Sequence, residues 1–351
     1  MINGHHMDSI TQMLFGATVA QAGFRRQLGR RALVAGALIA SIPDADVALA
    51  WVGDRFAEWE HHRGLTHSLF FGPVVGPMIG WAIWRLERRT SRLAPDRDRL
   101  QAWIWLSVLA LLTHPLIDLF TSYGTQLLWP LTTTRFAIDS MPIIEPIYSA
   151  TLAIALVIGA RSAVRPSTAS NAAGVALLFV LVYSCIGWAI NDKVERIAAA
   201  DLGRPAAVSA YPLLFQPYFR RVVAMTPENA YVGYYSVLNP KPIAWRTYPR
   251  ESSEAIGVLR RAREAEIFEW FAMDKVLWRT LSEADGHTFV VATDLRYGMI
   301  GPTDAGQWGI RAAIGGTNGG NGNGAGFRPF SIPRDASGAA FRRYWADIIG
   351  W

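Results

Sequence analysis

The stretch AAGVALLFVLVYSCIGWAI, residues 172–190, carries no charged side chain. An α-helix needs roughly 20 predominantly apolar residues to cross the hydrocarbon core of a bilayer, so this stretch predicts a membrane-spanning helix. Other apolar segments precede it in the 351-residue chain. The candidates are residues 10–24, 32–52, 68–86, 101–121, 143–160 and 172–190. The first of them is short and is either a span or a re-entrant helix.

The sequence after residue 190 has a different character. Several stretches are rich in β-branched and aromatic residues, as strands are: 221–225, 231–238 and 287–293. Helical periodicity is found in two others, 252–271 and 341–349, and a Gly/Asn-rich loop covers 318–326. We therefore expect an α-helical polytopic membrane bundle of about five or six spanning or re-entrant helices in residues 1–190. An α+β extramembrane domain is expected in residues 191–351.

Arginines are concentrated in alternate loops between the apolar segments. The Arg-rich loops carry Arg25, Arg26, Arg30 and Arg31, then Arg85, Arg88, Arg89, Arg92, Arg97 and Arg99, and finally Arg161 and Arg165. The intervening loops hold only Arg55, Arg63 and Arg135. Because basic loops remain in the cytoplasm, we predict a multi-pass protein of the bacterial inner membrane with its C-terminal domain on the extracytoplasmic side. These loops account for the net charge of +6, and no nucleic-acid binding is expected.

Three short motifs contain the residues best suited to chemistry. The first, IPDAD at residues 42–46, interrupts an apolar segment. A carboxylate inside a spanning segment costs on the order of 2.5–3.5 kcal/mol, so it usually has a partner or a role. Pro43 favours extended backbone, in which Asp44 and Asp46 point the same way. Alternatively, the helix ends at Ser41 and both aspartates cap it or face water.

The second motif is HHRGLTHS at residues 61–68. His62 and His67 are five residues apart, which fits a continuous helix poorly, but Gly64 permits a turn between them. Arg63 supplies a fixed positive charge that suits a phosphate or another anionic oxygen. The alternative interpretation is an exposed polar loop.

The third motif is THPLID at residues 113–118. His114 and Asp118 are four residues apart and therefore share one face of a helix. This spacing suits two ligands of one cation, or one ligand and the carboxylate that orients it. A buried His–Asp hydrogen bond that only stabilises packing is the alternative.

Under the predicted topology, all three motifs lie near the external ends of their segments. A thiolate cluster is excluded because Cys185 is the single cysteine. The predicted ligands of a divalent metal are Asp44, Asp46, His62, His67, His114 and Asp118. Imidazole with carboxylate suits zinc, with manganese or iron as alternatives, and these donors suffice for one or two ions. Such a site activates water for hydrolysis, with Asp44, Asp46 and Arg63 as the predicted catalytic side chains.

At these residues the sequence resembles the YdjM-like (LexA-regulated) family of membrane-bound metal-dependent hydrolases. The matching elements are MDSITQ at 7–12 with Gly16, PDAD at 43–46, HRGLTHS at 62–68, HPLID at 114–118, TSYGT at 121–125 and DLRYG at 294–298. The resemblance implies a multi-spanning protein with metal ligands at the histidines and aspartates named above. Many relatives have Thr-His where this chain has Thr11-Gln12, so this site has one ligand fewer or uses Asp8. Asp139 and Glu145, which flank the fifth segment, are further acidic candidates.

The resulting prediction is a membrane-bound metal-dependent hydrolase whose partners are membrane lipids and a small-molecule or lipid substrate. A phosphoester or ester of a lipid or envelope precursor fits a membrane location and Arg63. Two alternatives use the same His/Asp site. An ion or solute transporter requires access to the site from both faces. A non-catalytic membrane stress protein, in which the metal only stabilises the bundle, requires a closed ligand shell.

Overall fold

A computed structural model describes residues 5–51, 56–91, 96–161, 165–283, 287–301, 304–314, 326–333 and 337–350. The chain divides into two compact units. The first comprises Met1–Trp51 and His61–Ile186, and the second comprises Val52–Glu60 and Gly187–Trp351. Nearly all of the Gly/Asn-rich loop predicted at 318–326 lies outside the described residues.

The regular elements that the structure describes up to residue 202 are all helices, with non-helical chain between Asp118 and Pro146. Its α-helices are α1 (His5–Val19), α2 (Arg25–Leu28), α3 (Arg31–Ala40), α4 (Ala57–His61), α5 (Phe71–Ser91), α6 (Arg97–Asp118), α7 (Pro146–Ala160) and α8 (Pro166–Leu202). A π-helical turn, Ala20–Phe24, connects α1 to α2, and 3-10 helices cover Pro43–Trp51 and Leu65–His67.

Side-chain caps define where two of the apolar helices begin. The carboxylate of Asp96 accepts hydrogen bonds from the backbone N–H groups of Asp98 and Arg99 at the start of α6. Glu145 does the same for Ile147 at the start of α7, where Pro146 occupies the first helical position. Both arrangements satisfy backbone donors that the first helical turn leaves without partners.

By length and composition, α6 and α8 are the two described helices that can cross a membrane. A third span results if Ala57–His67 and Phe71–Thr90, which are bent by 66°, count as one broken span. The segment predicted at 32–52 is not a full α-helix, because α3 ends at Ala40 and a 3-10 helix begins at Pro43. Helix α3 has 10 residues and extends about 15 Å, which is half of the thickness of a hydrocarbon core of about 30 Å. The apolar membrane helices are therefore confirmed, while the count of five or six spans is not.

Glycines allow α5 and α6 to pack with their backbones in contact. Gly72, Gly76 and Gly80 recur every four residues along one face of α5. A Cβ atom on Gly80 would lie 2.5 Å from the Cα of Ile104, and one on Gly76 would lie 2.8 Å from the Cα of Val108. Small residues at this spacing permit the close helix contacts that are typical of membrane bundles.

Glycines also allow α1 and α3 to pack with their backbones in contact. A Cβ atom on Gly16 would overlap the carbonyl oxygen of Gly36, and a Cβ atom on Gly36 would overlap that of Gly16. The two helices thus meet backbone to backbone, with Ala20 and Ala40 beside the contact. This contact holds the N-terminal helix against the helix that leads into the Asp44/Asp46 motif.

After residue 202 the described part of the second unit contains two four-stranded antiparallel sheets and three helices. The first sheet has the order β1 (Ala207–Pro212), β2 (Phe219–Met225), β3 (Asn229–Ser236) and β4 (Arg246–Pro249). The second has the order β5 (Val276–Ser282), β6 (Thr288–Asp294), β7 (Trp308–Ala313) and β8 (Arg328–Ser331). The helices are α9 (Glu254–Leu259), α10 (Arg263–Phe271) and α11 (Gly338–Ile349). The expected β-rich region with helices is confirmed, although the helix predicted at 252–271 is two helices separated by a turn.

The DLRYG motif after β6 is part of the core of the second unit. Asp294 and Arg296 are both buried and their side chains form an ion pair at 2.7 Å. The guanidinium of Arg296 also lies over the rings of Phe271 and Tyr297, 5.0 and 5.3 Å from their centroids. These contacts indicate a structural role for the motif.

Replacing Gly80 with Ala should destabilise the protein, because the added Cβ forces α5 away from α6. We expect a loss of about 1–3 kcal/mol, seen as a lower midpoint of thermal unfolding in detergent. Gly174→Ala in α8 is the matched control, since nothing lies within 4 Å of the position that its Cβ atom would take and alanine favours helix. Equal midpoints for the two variants would contradict close packing of α5 on α6.

Asp294→Ala should lower the stability of the second unit strongly, because it leaves the buried Arg296 without its carboxylate. Breaking a buried ion pair by removing one partner costs about 3–5 kcal/mol. Glu283→Ala is the control, since Glu283 pairs with Arg311 at the surface, where both side chains are about half exposed and such pairs contribute about 0–1 kcal/mol. Denaturant unfolding of both variants measures the difference, and a similar loss in each argues against the assignment.

Candidate metal centre

The three sequence motifs meet in the first unit. Asp44 and Asp46 lie in the first turn of the 3-10 helix that follows α3. His62 follows α4, and His67 ends the short 3-10 helix Leu65–His67 before α5. His114 and Asp118 lie in the last turns of α6. Three separate stretches of chain therefore bring their polar side chains to one place, as the sequence pattern predicts.

Asp44, His67 and His114 form a group in which one donor atom of each lies within 4.8 Å of the others. The Nε2 atom of His114 is 3.1 Å from Oδ1 of Asp44, and Nε2 of His67 is 3.8 Å from the same oxygen. Oδ2 of Asp118 lies 3.4 Å from Nε2 of His67 and 3.8 Å from Nε2 of His114. Two imidazole nitrogens and two carboxylate oxygens thus surround a common space.

The other ring nitrogens of the two histidines are occupied. Nδ1 of His114 donates to the carbonyl oxygen of Ala40 at 2.7 Å. Nδ1 of His67 lies 3.2 Å from Oδ2 of Asp46. An imidazole whose Nδ1 carries the proton presents a lone pair at Nε2, which is the state that binds a metal. Both histidines therefore direct their Nε2 atoms to the shared space.

Asp46 and His62 lie behind His67. Oδ1 of Asp46 is 2.7 Å from Nδ1 of His62, while Oδ2 accepts hydrogen bonds from the Thr66 hydroxyl at 2.7 Å and the Arg63 backbone N–H at 3.2 Å. This carboxylate is thus positioned to orient His67. Of the six predicted ligands, the structure brings four around one point and places Asp46 and His62 next to them as support.

Arg63 contacts both Asp46, which lies behind His67, and Asp118, which is one of the converging donors. Its backbone has φ 60°, in the left-handed region that is costly for a residue with a side chain, and its N–H faces Asp46. Its guanidinium is buried, with Nε 3.1 Å from Oδ2 of Asp118 and Nη1 donating to Thr121 at 2.9 Å. It also lies over the ring of Tyr123, 4.7 Å from the centroid. In this arrangement Arg63 positions Asp118.

Helix α1 contributes two contacts that sequence reasoning did not assign. The Ser9 hydroxyl donates to Oδ2 of Asp44 at 3.1 Å, and Nε2 of Gln12 donates to Oδ1 of Asp118 at 3.2 Å. The sequence pattern that could have indicated these contacts is the spacing of Ser9, Gln12 and Gly16, which places them on one face of α1. This face meets α3. The side chain of Asp8, the alternative ligand, lies outside the described residues.

The two further acidic candidates are not part of the described metal group. Glu145 caps α7 through its bond to the Ile147 N–H. Asp139 lies in the loop before α7 with φ 55°. Neither is among the three residues whose donor atoms converge, and those three come from the three motifs.

The residues present fit a divalent metal. Nε2 of His67 is buried and has no hydrogen-bond partner among the described residues, while Oδ2 of Asp118 beside it is paired with Nε of Arg63. Leaving a buried polar atom unsatisfied costs about 1–3 kcal/mol, and a cation bound at Nε2 of His67 would remove that cost. Imidazole and carboxylate donors suit zinc, manganese or iron. The Asp44 side chain is 26% exposed, whereas those of His67, His114 and Asp118 are 0–1% exposed, so the space opens on the Asp44 side.

Comparisons with known proteins agree with a membrane protein of this kind. A segment of 108 residues is 37% identical to the inner membrane protein YbcI of Escherichia coli (strain K12), covering 30% of this chain and 57% of that protein. Another of 107 residues is 29% identical to the uncharacterized protein YfhP of Bacillus subtilis (strain 168), covering 30% of this chain and 29% of that one. The match therefore covers less than two thirds of either relative.

No solved structure matches the chain. The family comparison is more extensive, since it covers residues 7–194 and includes all three motifs of the site. This match takes in more than half of the 351 residues. The chain belongs to the YdjM inner membrane protein family.

Proposed function

We propose that this protein is a membrane-bound, metal-dependent hydrolase that acts on a phosphoester or ester. One observation carries the proposal. Two imidazole nitrogens and two carboxylate oxygens converge, and the buried Nε2 of His67 has no hydrogen-bond partner among the described residues. Four such donors suit one ion, with zinc as the first choice and manganese or iron as alternatives.

Each side chain of the site has a role in this proposal. Asp44, His67, His114 and Asp118 hold the ion, which would lower the pKa of a bound water and polarise the scissile group. Asp46 orients His67 and is itself held by His62. Asp44 is the most exposed of the four, so we assign it the acceptance of the proton that the attacking water loses when Asp44 is not bound to the ion.

Substrate class follows from where the site opens. The Asp44 side is the exposed side, and the chain is an inner membrane protein by family, so a lipid or lipid-linked precursor is the substrate that reaches it most directly. The alternation of Arg-rich loops favours an extracytoplasmic location for the site and the C-terminal domain. The hydrolysed bond is a phosphoester or a carboxylic ester.

The metal site is tested by the metal content of the purified protein. We expect about one equivalent of zinc, manganese or iron per chain in wild type, and little in His67→Ala or His114→Ala, because each loses one of the converging donors. His61→Ala is the matched control, since His61 is exposed in the same motif. Elemental mass spectrometry on detergent-purified samples measures all four proteins. A folded wild type that contains no metal and takes up none contradicts the site.

Hydrolysis is tested with Asp44→Asn, which keeps the shape of the side chain and removes its charge. Turnover of chromogenic phosphate and carboxylic esters at saturating zinc should fall about 10²–10⁴-fold, the usual contribution of a general base. Asp98→Asn on the exposed start of α6 should leave the rate unchanged. Equal rates for wild type and Asp44→Asn would remove Asp44 from the reaction.

A non-catalytic metal site is the second candidate, and the near-complete burial of His67, His114 and Asp118 favours it. A metal that only stabilises the bundle needs a closed shell of protein ligands. The partial exposure of Asp44 favours the catalytic alternative. A protein that binds metal and unfolds at lower temperature after chelation, yet hydrolyses no ester, would support the structural role.

A further inference from the structure

Each carboxylate of the candidate metal group has one oxygen that faces the imidazoles and one that faces α1. The inner oxygens are Oδ1 of Asp44, 3.1 Å from His114, and Oδ2 of Asp118, 3.4 Å from His67. The outer oxygens are Oδ2 of Asp44, which accepts from Ser9, and Oδ1 of Asp118, which accepts from Gln12. In both carboxylates the outer oxygen accepts from α1, and the inner oxygen of Asp118 also lies 3.1 Å from Nε of Arg63.

Gln12 is fully buried, which needs a physical reason in an apolar bundle. An amide removed from water is costly unless it is hydrogen bonded. Its Nε2 donates to Asp118 at 3.2 Å, while its Oε1 has no hydrogen-bond partner among the described residues. A side chain that only filled space would be apolar here, so the contact with Asp118 is the reason we assign.

Helix α1 is fixed in place by contacts outside the site. Gly16 meets Gly36 of α3 backbone to backbone. The Thr11 hydroxyl hydrogen bonds with that of Ser149 in α7 at 2.8 Å. The donors of Ser9 and Gln12, three residues apart on one face, are therefore held at set positions and do not follow the carboxylates.

We infer that Ser9 and Gln12 are positioning residues that hold Asp44 and Asp118 as single-oxygen ligands. This inference rests on the metal site of the proposed function. A carboxylate whose outer oxygen is bonded to α1 cannot turn to offer both oxygens. Four single-atom donors leave room for water only as a fifth ligand, to which catalytic zinc sites sometimes expand, whereas two bidentate carboxylates would fill that position.

The test is a cobalt(II) titration of the purified full-length protein in detergent, followed by visible absorption. Ser9→Ala and Gln12→Met remove the donors with little change of volume. We expect about 10–100-fold weaker binding in each, the usual effect of losing an outer partner of a ligand. The absorption per bound cobalt should also fall, because a released carboxylate binds through two oxygens and raises the coordination number. Ser9→Thr, which keeps the hydroxyl, should restore both properties.

Thr11→Val is the matched control, because it removes a neighbouring hydroxyl of α1 that bonds to Ser149 and not to the site. It should bind cobalt like wild type. Wild-type affinity and absorption in both Ser9→Ala and Gln12→Met overturn the inference while leaving the metal site intact. The same changes in Thr11→Val also overturn it, since they report a general loss of packing. A wild type that binds no cobalt overturns the metal site and this inference together.

Discussion

His67 is completely buried and has a carboxylate beside each of its ring nitrogens. In a membrane bundle, little water is present to satisfy such groups, so each must find its partner within the chain. The stretch after α3 supplies Asp46 as the neighbour of Nδ1, whereas the end of α6 places Oδ2 of Asp118 3.4 Å from Nε2 without a hydrogen bond. Separating these stretches would leave several buried polar atoms without partners, at about 1–3 kcal/mol for each. The arrangement of the surrounding helices depends on meeting this constraint.

Glycine contacts provide the proximity that the polar groups require. Gly16 against Gly36 brings α1 to α3, and the Gly72, Gly76 and Gly80 face brings α5 to α6. Polar side chains reach only a few ångströms, so a wider helix spacing would break the bond from Ser9 to Asp44. Apolar packing and the polar site therefore act together, since small residues set the helix spacing and the site makes use of it.

Sequence patterns predicted the elements of the fold better than their extents. Apolar runs identified α6 and α8, and β-branched runs identified β2, β3 and β6. Pro43 indicated that the segment at 32–52 is interrupted, but not that the chain continues as a 3-10 helix, because both helical conformations accept the same apolar residues. Nor could it show the 66° bend before α5, which is set by how the His67 turn packs against its partners.

The site was predictable where its residues are close in sequence. His114 and Asp118 share a helical face by their spacing alone, and they face the same imidazole. Contacts between distant stretches could not be predicted from spacing, since Ser9 and Asp44 are 35 residues apart and Gln12 and Asp118 are 106 apart. Such pairs follow from helix packing and not from local pattern. The same is true of the separation of Asp46 from Asp44, which face opposite sides of His67 although only one residue lies between them.

Buried polar side chains are arranged differently in the second unit, where Arg221 is hydrogen bonded, and in the first unit, where several donor atoms converge. Arg221 in the second unit is fully buried, and each of its three guanidinium nitrogens donates a hydrogen bond, to Leu295, Tyr234 and Asp304. A polar group that serves packing is expected to be satisfied in this way. His67 and Asp118 are buried just as deeply. Oδ2 of Asp118 lies 3.1 Å from Nε of Arg63, whereas Nε2 of His67 has no hydrogen-bond partner among the described residues and belongs to the converging donor atoms of Asp44, His67 and His114. This convergence of imidazole and carboxylate donors, which suits a cation, is why we propose the chemistry in the first unit.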